Sequence, residues 1–123
     1  MVPTPVLAKV LDVIDQPAAA LGLLRHAFDD PANQDGTRMM FLAWYAARFG
    51  DDELAVAALR RGFLEYAGSY PTAIWFPCLS RTRRTPAFKA FAHDFGLDRY
   101  WRASGNWGDF ARPVGDDDFE IIR

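Results

Sequence analysis

Residues 37–66 read TRMMFLAWYAARFGDDELAVAALRRGFLEY. Met39, Leu42, Ala43, Ala46 and Phe49 recur at three- and four-residue steps, the period of one face of an α-helix. The spacing predicts a helix from about Thr37 to Phe49. Gly50 ends it, as a residue free to take the left-handed conformation. Asp51 or Asp52 caps a second helix, and Glu53 suits its positive end. Ala55, Leu59, Gly62, Phe63 and Tyr66 form the apolar face of that helix. The stretch is a helical hairpin.

A shift of 35 residues lays this hairpin over the preceding sequence. Leu7 falls on Leu42, Ala8 on Ala43, Leu11 on Ala46 and Ile14 on Phe49. Ala20 falls on Ala55, Leu24 on Leu59, Arg25 on Arg60, Ala27 on Gly62 and Phe28 on Phe63. The earlier unit has its own punctuation. Thr4 caps a first helix with Pro5 at its first position, and Val10 widens the face of Leu7, Leu11 and Ile14. Gln16-Pro17 breaks that helix and opens the next. Asp29 to Gly36 reads as a loop. The small residues Ala8, Ala43, Ala20 and Ala55 belong where antiparallel helices cross closely, because a larger side chain would force them apart.

Two helices per unit at a period of about 34 residues resemble the tetratricopeptide pattern. Its carriers are Leu42-Ala43, Gly50, Ala55, Leu59 and Gly62. The chain departs where that pattern usually has Tyr, since Ala46 stands there, and no strong motif Pro closes the unit. Two solenoid units leave an open end. The aromatic residues that follow are expected to cover it. Tyr70-Pro71-Thr72 opens a short helix with Ile74, Trp75 and Phe76, which Pro77 ends. Ser80 to Thr85 is basic and irregular. Thr85 caps a helix with Phe88, Phe91, Ala92 and Phe95 on one face. Gly96 stops it, and Asp98 to Ser104 adds a helical turn with Tyr100 and Trp101. Residues 105–123 read as an irregular tail with Trp107, Phe110, Phe119 and the acid run Asp116-Asp117-Asp118. The expected fold is all-α: one helical domain over 1–123, with two hairpins in 1–67 and an aromatic-rich cap and tail in 68–123.

The terminal stretch carries a second resemblance. Trp75-Phe76-Pro77, Pro86-Ala87-Phe88-Lys89-Ala90-Phe91, Leu97-Asp98-Arg99-Tyr100-Trp101-Arg102 and Trp107-Gly108-Asp109-Phe110 look like the end of bacterial multi-domain tetratricopeptide signalling proteins. Those often carry winged-helix or adenylate-cyclase domains at the N-terminus. The family often places Cys after the last Phe, where this chain has Ala111, so no role of that thiol carries over. No winged-helix or cyclase signature is present. The resemblance implies a helical sensor or docking region.

Composition narrows the chemistry. Of 123 residues, 50% are hydrophobic and 15% aromatic, too apolar for a disordered chain. The net charge of -2 argues against a whole-domain nucleic-acid binder. One cysteine and two histidines leave no disulfide framework and little for a metal centre. No catalytic constellation, metal site or cofactor is expected. Cys78, in an apolar setting with no base placed beside it, reads as a buried structural residue. His26 reads as a solvated or partly packed helix residue. His93 and Asp94 are adjacent on a helix and do not face each other. No membrane span is expected, and neither is a secretory signal. The expected compartment is the cytoplasm, or the periplasm for a piece of a membrane-anchored parent.

Two surfaces remain. In the tetratricopeptide register, Lys9, Met40, Trp44 and Arg48 point into the concave groove, where Trp44 can anchor a peptide and the basic residues grip carboxylates. Alternatively, Trp44 and Met40 pack against the C-terminal segment or at a dimer interface. Arg81, Arg83 and Arg84, with Lys89 close behind, suit an anion or nucleotide, or pair within the chain, for instance with Asp116-Asp117-Asp118. The leading expectation is non-catalytic protein or peptide binding. Homodimerisation and small-anion sensing are the alternatives.

Overall fold

A computed structural model of the chain describes residues 5–66 and 71–123, with side chains from residue 8 onward. Thr4, Tyr70 and the side chain of Leu7 lie outside the described residues. Among the described residues the chain is mostly helical, with one small sheet. The helices are α1 (Pro5–Asp12), α2 (Pro17–Asp29), α3 (Gly36–Arg48), α4 (Asp52–Arg60), α5 (Pro86–Asp94) and α6 (Leu97–Ser104). The strands are β1 (Ala111–Val114) and β2 (Asp118–Ile121).

Local chemistry sets the boundaries. Pro17 occupies the first turn of α2. The carboxylate of Asp35 accepts from the Arg38 backbone N–H and caps α3, and Asp51 does the same for α4 through Leu54. Gly50, at φ +93°, makes the left-handed turn between them. Thr85 caps α5 through Phe88, with Pro86 following. Gly96, also left-handed, separates α5 from α6.

α3 and α4 form the most closely packed pair. Gly62, in a π-helical turn over Arg61–Glu65 that continues α4, lies against α3. A Cβ added there would stand 3.1 Å from Met39 Cβ and 3.3 Å from the Gly36 carbonyl oxygen. The burial expected from the 35-residue register recurs at three aligned pairs of the second helices. Ala20 and Ala55 are buried, as are Leu24 and Leu59 and the pair Ala27 and Gly62. It fails for the first helix. Ala43 and Ala46 are fully buried, but their counterparts Ala8 and Leu11 are exposed, as is Ile14. Among the described side chains of α1, Val10 is the buried one instead. α1 has two turns and packs chiefly on α2. The close crossing expected at Ala8 is absent.

The segment after residue 70 covers α3 and α4. A 3-10 turn over Pro71–Trp75 brings Phe76 onto Trp44, ring on ring at 4.8 Å, and Phe63 of the α4 extension meets Phe95 and Phe91 of α5. Trp75 stacks on Phe110 at 4.6 Å and lies beside Trp101. One buried cluster runs from Val10 to Phe119.

The tail expected to be irregular contains the antiparallel β1–β2 hairpin, with Ala111 opposite Ile121 and Val114 opposite Asp118. All-α therefore needs this correction. Gly115, at φ +64°, supplies the left-handed residue of the three-residue turn. Phe119 is buried edge-on against Trp101, and the Arg102 guanidinium donates to the carbonyls of Gly115 and Asp118.

Candidate functional site

The four groove residues do not form an open site. Met40 is 5% exposed and belongs to the core. Trp44 is half-buried: its Nε1–H donates to the Ala73 carbonyl at 3.2 Å, Phe76 covers one ring face, and Phe41 meets it edge-on. Of the two sequence readings, packing against the C-terminal segment is the one realised. Lys9 and Arg48 are exposed, on α1 and at the end of α3.

The three arginines do not converge on a ligand either. Arg81 donates to the Asp52 carboxylate and to the Ala47 carbonyl, tying the cap to α3 and α4. Arg83 is 3% exposed. Its Nη1 donates to the carbonyls of Ile74 and Phe76 at 3.0 and 2.8 Å, and its Nε to the Arg123 carbonyl at 2.8 Å. Its guanidinium lies near the rings of Trp75 and Phe110. Burial holds its pKa below the usual arginine value. Arg84 alone is exposed and lacks a charged partner among the described residues. The expected pairing with the acid run is met in part, by Lys89 and not by the arginines: Lys89 Nζ lies 2.7 Å from Asp118 Oδ1.

Two neighbouring cavities flank the α5–β2 junction and share Pro86 and Lys89. The first, about 430 Å³, is lined by Arg83, Arg84, Thr85, Glu120 and Ile121 as well. The second, about 340 Å³, adds Ala90, His93, Asp98, Asp117 and Phe119. Together they make a shallow groove, basic at Arg84 and acidic at Asp117 and Asp118. Pro86, Ala90, Phe119 and Ile121 supply apolar surface. The Lys89–Asp118 pair spans it, and the hydrogen bond from Lys89 holds the Asp118 carboxyl below its ordinary pKa. Arg84 was legible as a candidate. Phe119 and Ile121 were not, because they line a groove only once the tail forms a hairpin.

At the acidic end, His93 Nδ1 and Asp98 Oδ2 are 2.8 Å apart. The left-handed turn at Gly96 brings α6 back beside α5 and makes this pair, which adjacency in sequence did not offer for Asp94. Asp94 pairs with Arg60 instead, and that hydrogen bond lowers its pKa. Cys78 is exposed, contrary to the buried role expected, because Pro77–Leu79 forms a surface 3-10 turn in which Leu79 takes the inward position. Desolvation nevertheless pushes its thiol up, away from the reactive thiolate. His26 is exposed on α2. Among the described residues no cluster of three or more His, Cys, Asp or Glu is placed to hold a metal, and no helix is long and apolar enough to cross a membrane.

Comparison of the chain with protein-family models, with curated proteins and with solved structures gives no match.

Proposed function

We propose that the chain is a non-catalytic protein-interaction module, built on tetratricopeptide-like hairpins and related to the end of bacterial tetratricopeptide signalling proteins. Its docking site in this reading is the α5–β2 groove, not the covered face at Trp44. The observation that carries the reading is the groove itself: two neighbouring cavities sharing Pro86 and Lys89, with apolar surface and opposite charges at the two ends. Peptide sites combine such a channel with charges that select orientation. The reading calls for no cofactor, nucleic acid or membrane. It places the module in the cytoplasm, where the exposed Cys78 stays reduced.

Peptide display against the purified chain tests it. Enriched peptides should bind the wild type and lose binding to Arg84→Glu and to Ile121→Lys. Failure to enrich any peptide, or equal binding to both variants, would overturn the reading. A second reading, homodimerisation, rests on a separate observation: Leu11 on α1 and Ile14 in the turn after it stand exposed, at the end away from the aromatic cap.

A further inference from the structure

We infer that the segment taken up in the groove adds to β2 as a third, antiparallel strand, with its acidic residues first, beside Arg84, and its basic residues last, beside Asp117. This rests on the protein-binding reading above and adds the form, direction and charge order of the partner.

The hairpin ladder carries the argument. The Ile122 N–H donates to the Phe110 carbonyl at 2.7 Å. That bond sets the parity of the whole ladder, because hydrogen-bonded and non-bonded pairs alternate in an antiparallel sheet. Arg112–Glu120 and Val114–Asp118 are then the bonded pairs. Ala111–Ile121 and Pro113–Phe119 are the non-bonded ones, so Phe119 and Ile121 direct their backbone groups away from β1. The outer edge of β1 is blunted by Pro113, which has no N–H to offer. The outer edge of β2 is not. The Phe119 N–H is taken by its neighbour Asp118 Oδ1. The Phe119 carbonyl and both backbone groups of Ile121 remain, with no hydrogen bond to another described residue.

That edge faces the groove. Arg123, two residues past Ile121, has the same parity, and its carbonyl accepts from Arg83 just before α5. Phe119 and Ile121 both line the cavities. β2 runs from the acidic end towards Arg83 and Arg84, so an antiparallel strand enters at Arg84. Antiparallel pairing is the more stable per residue. An acidic residue first and a basic residue last meet complementary charges at both ends. The Lys89–Asp118 pair must open. Both side chains are about half exposed, and an exposed pair of this kind is worth little, so a basic partner residue can replace Lys89 on Asp118.

The test is an amide-resolved NMR titration of the whole chain with three capped nine-residue peptides. The first has two glutamates, five alternating valines and threonines, then two lysines. The second reverses the charge order. The third is the first with alternate backbone nitrogens methylated. The first should shift the amides of Phe119, Glu120 and Ile121. The other two should bind at least about tenfold more weakly, as should the first with Arg84→Glu. Equal binding of the reversed or methylated peptide, shifts away from β2, or no binding of the first would overturn the inference. Display-selected peptides that still need Arg84 and Ile121 would then leave the protein-binding reading standing. Loss of that dependence would remove both.

Discussion

Arg83 stands between Arg81 and Arg84 in a run that reads as an anion site or as a partner for acidic residues of the same chain, yet its side chain is spent on three backbone carbonyls and two aromatic rings. Two of those carbonyls end the 3-10 turn that lies on Trp44, and the third belongs to the residue after Ile122. One guanidinium therefore ties the cap to the tail. Arg83→Met should cost about 3 kcal/mol in urea unfolding, because hydrogen bonds from a charged donor are lost and buried carbonyls are orphaned. Arg84→Met should stay within about 0.5 kcal/mol, as an exposed side chain with no ion-pair partner among the described residues. Equal effects would show that Arg83 is not the tie. Trp44 offers a parallel case. Trp44→Phe keeps the stacking on Phe76 and drops the bond to Ala73, for a cost of about 1 kcal/mol in the same measurement. For Trp44 the sequence offered packing on the C-terminal segment beside an open groove, and could not choose, because the Ala73 carbonyl that decides it lies 29 residues away. The three carbonyls taken by Arg83 were not legible, because residue type alone does not say which backbone groups a buried guanidinium meets.

Among the elements, the caps and stops were the most legible features. Asp51, Thr85 with Pro86, Gly50 and Gly96 act within one turn of themselves, so local sequence contains their whole cause. The α3–α4 hairpin was readable for the same reason. α1 was not, because its inward face is chosen by what packs on it, and Val10 won over Leu11 and Ile14. The β hairpin was missed because its strands are four residues long and its turn lacks a two-residue signal such as Asn-Gly. Two glycines within helical segments separate propensity from packing. Gly22→Ala, with nothing within 4 Å of the new Cβ, should stabilise by about 0.8 kcal/mol. Gly62→Ala gains the same propensity but presses on Met39 and the Gly36 backbone, and should destabilise by about 1 kcal/mol or more. Thermal unfolding should move in opposite directions for the two. The hairpin has its own pH signature. The folded pKa of Asp118 is depressed, first by the hydrogen bond from Lys89, so the small contribution of that pair is complete above the ordinary aspartate value of 3.8 and is lost as pH falls through the lower folded value. An NMR titration of the Asp118 carboxyl should give a midpoint below 3.8, and Lys89→Ala should move that midpoint up.

For the whole molecule, the two ends of the helical stack are unequal. At one end Phe88 and Phe91 are fully buried beneath the aromatic cap. At the other, Leu11 and Ile14 remain 47% and 43% exposed. The candidate groove lies at the capped end and needs the tail hairpin for one wall, so it was beyond reach of a sequence reading that left the tail irregular. The exposed α1 face was legible as an apolar stripe, though as core and not as surface. Its size decides how far it can drive self-association. Covering the exposed half of four such side chains, two from each copy, contributes about 3–6 kcal/mol. Association costs on the order of 4–15 kcal/mol in lost freedom before any contact is counted. These two residues alone therefore hold a dimer no tighter than roughly millimolar. Light scattering across a concentration series should show a monomer at tens of micromolar, with Leu11→Glu and Ile14→Glu leaving both mass and helicity unchanged. A monomer leaves the α5–β2 groove as the docking surface. A dimer that persists at micromolar concentration and dissociates in the α1 double variant would require further contacts across α1 and α2, and would make self-association the primary function of the chain.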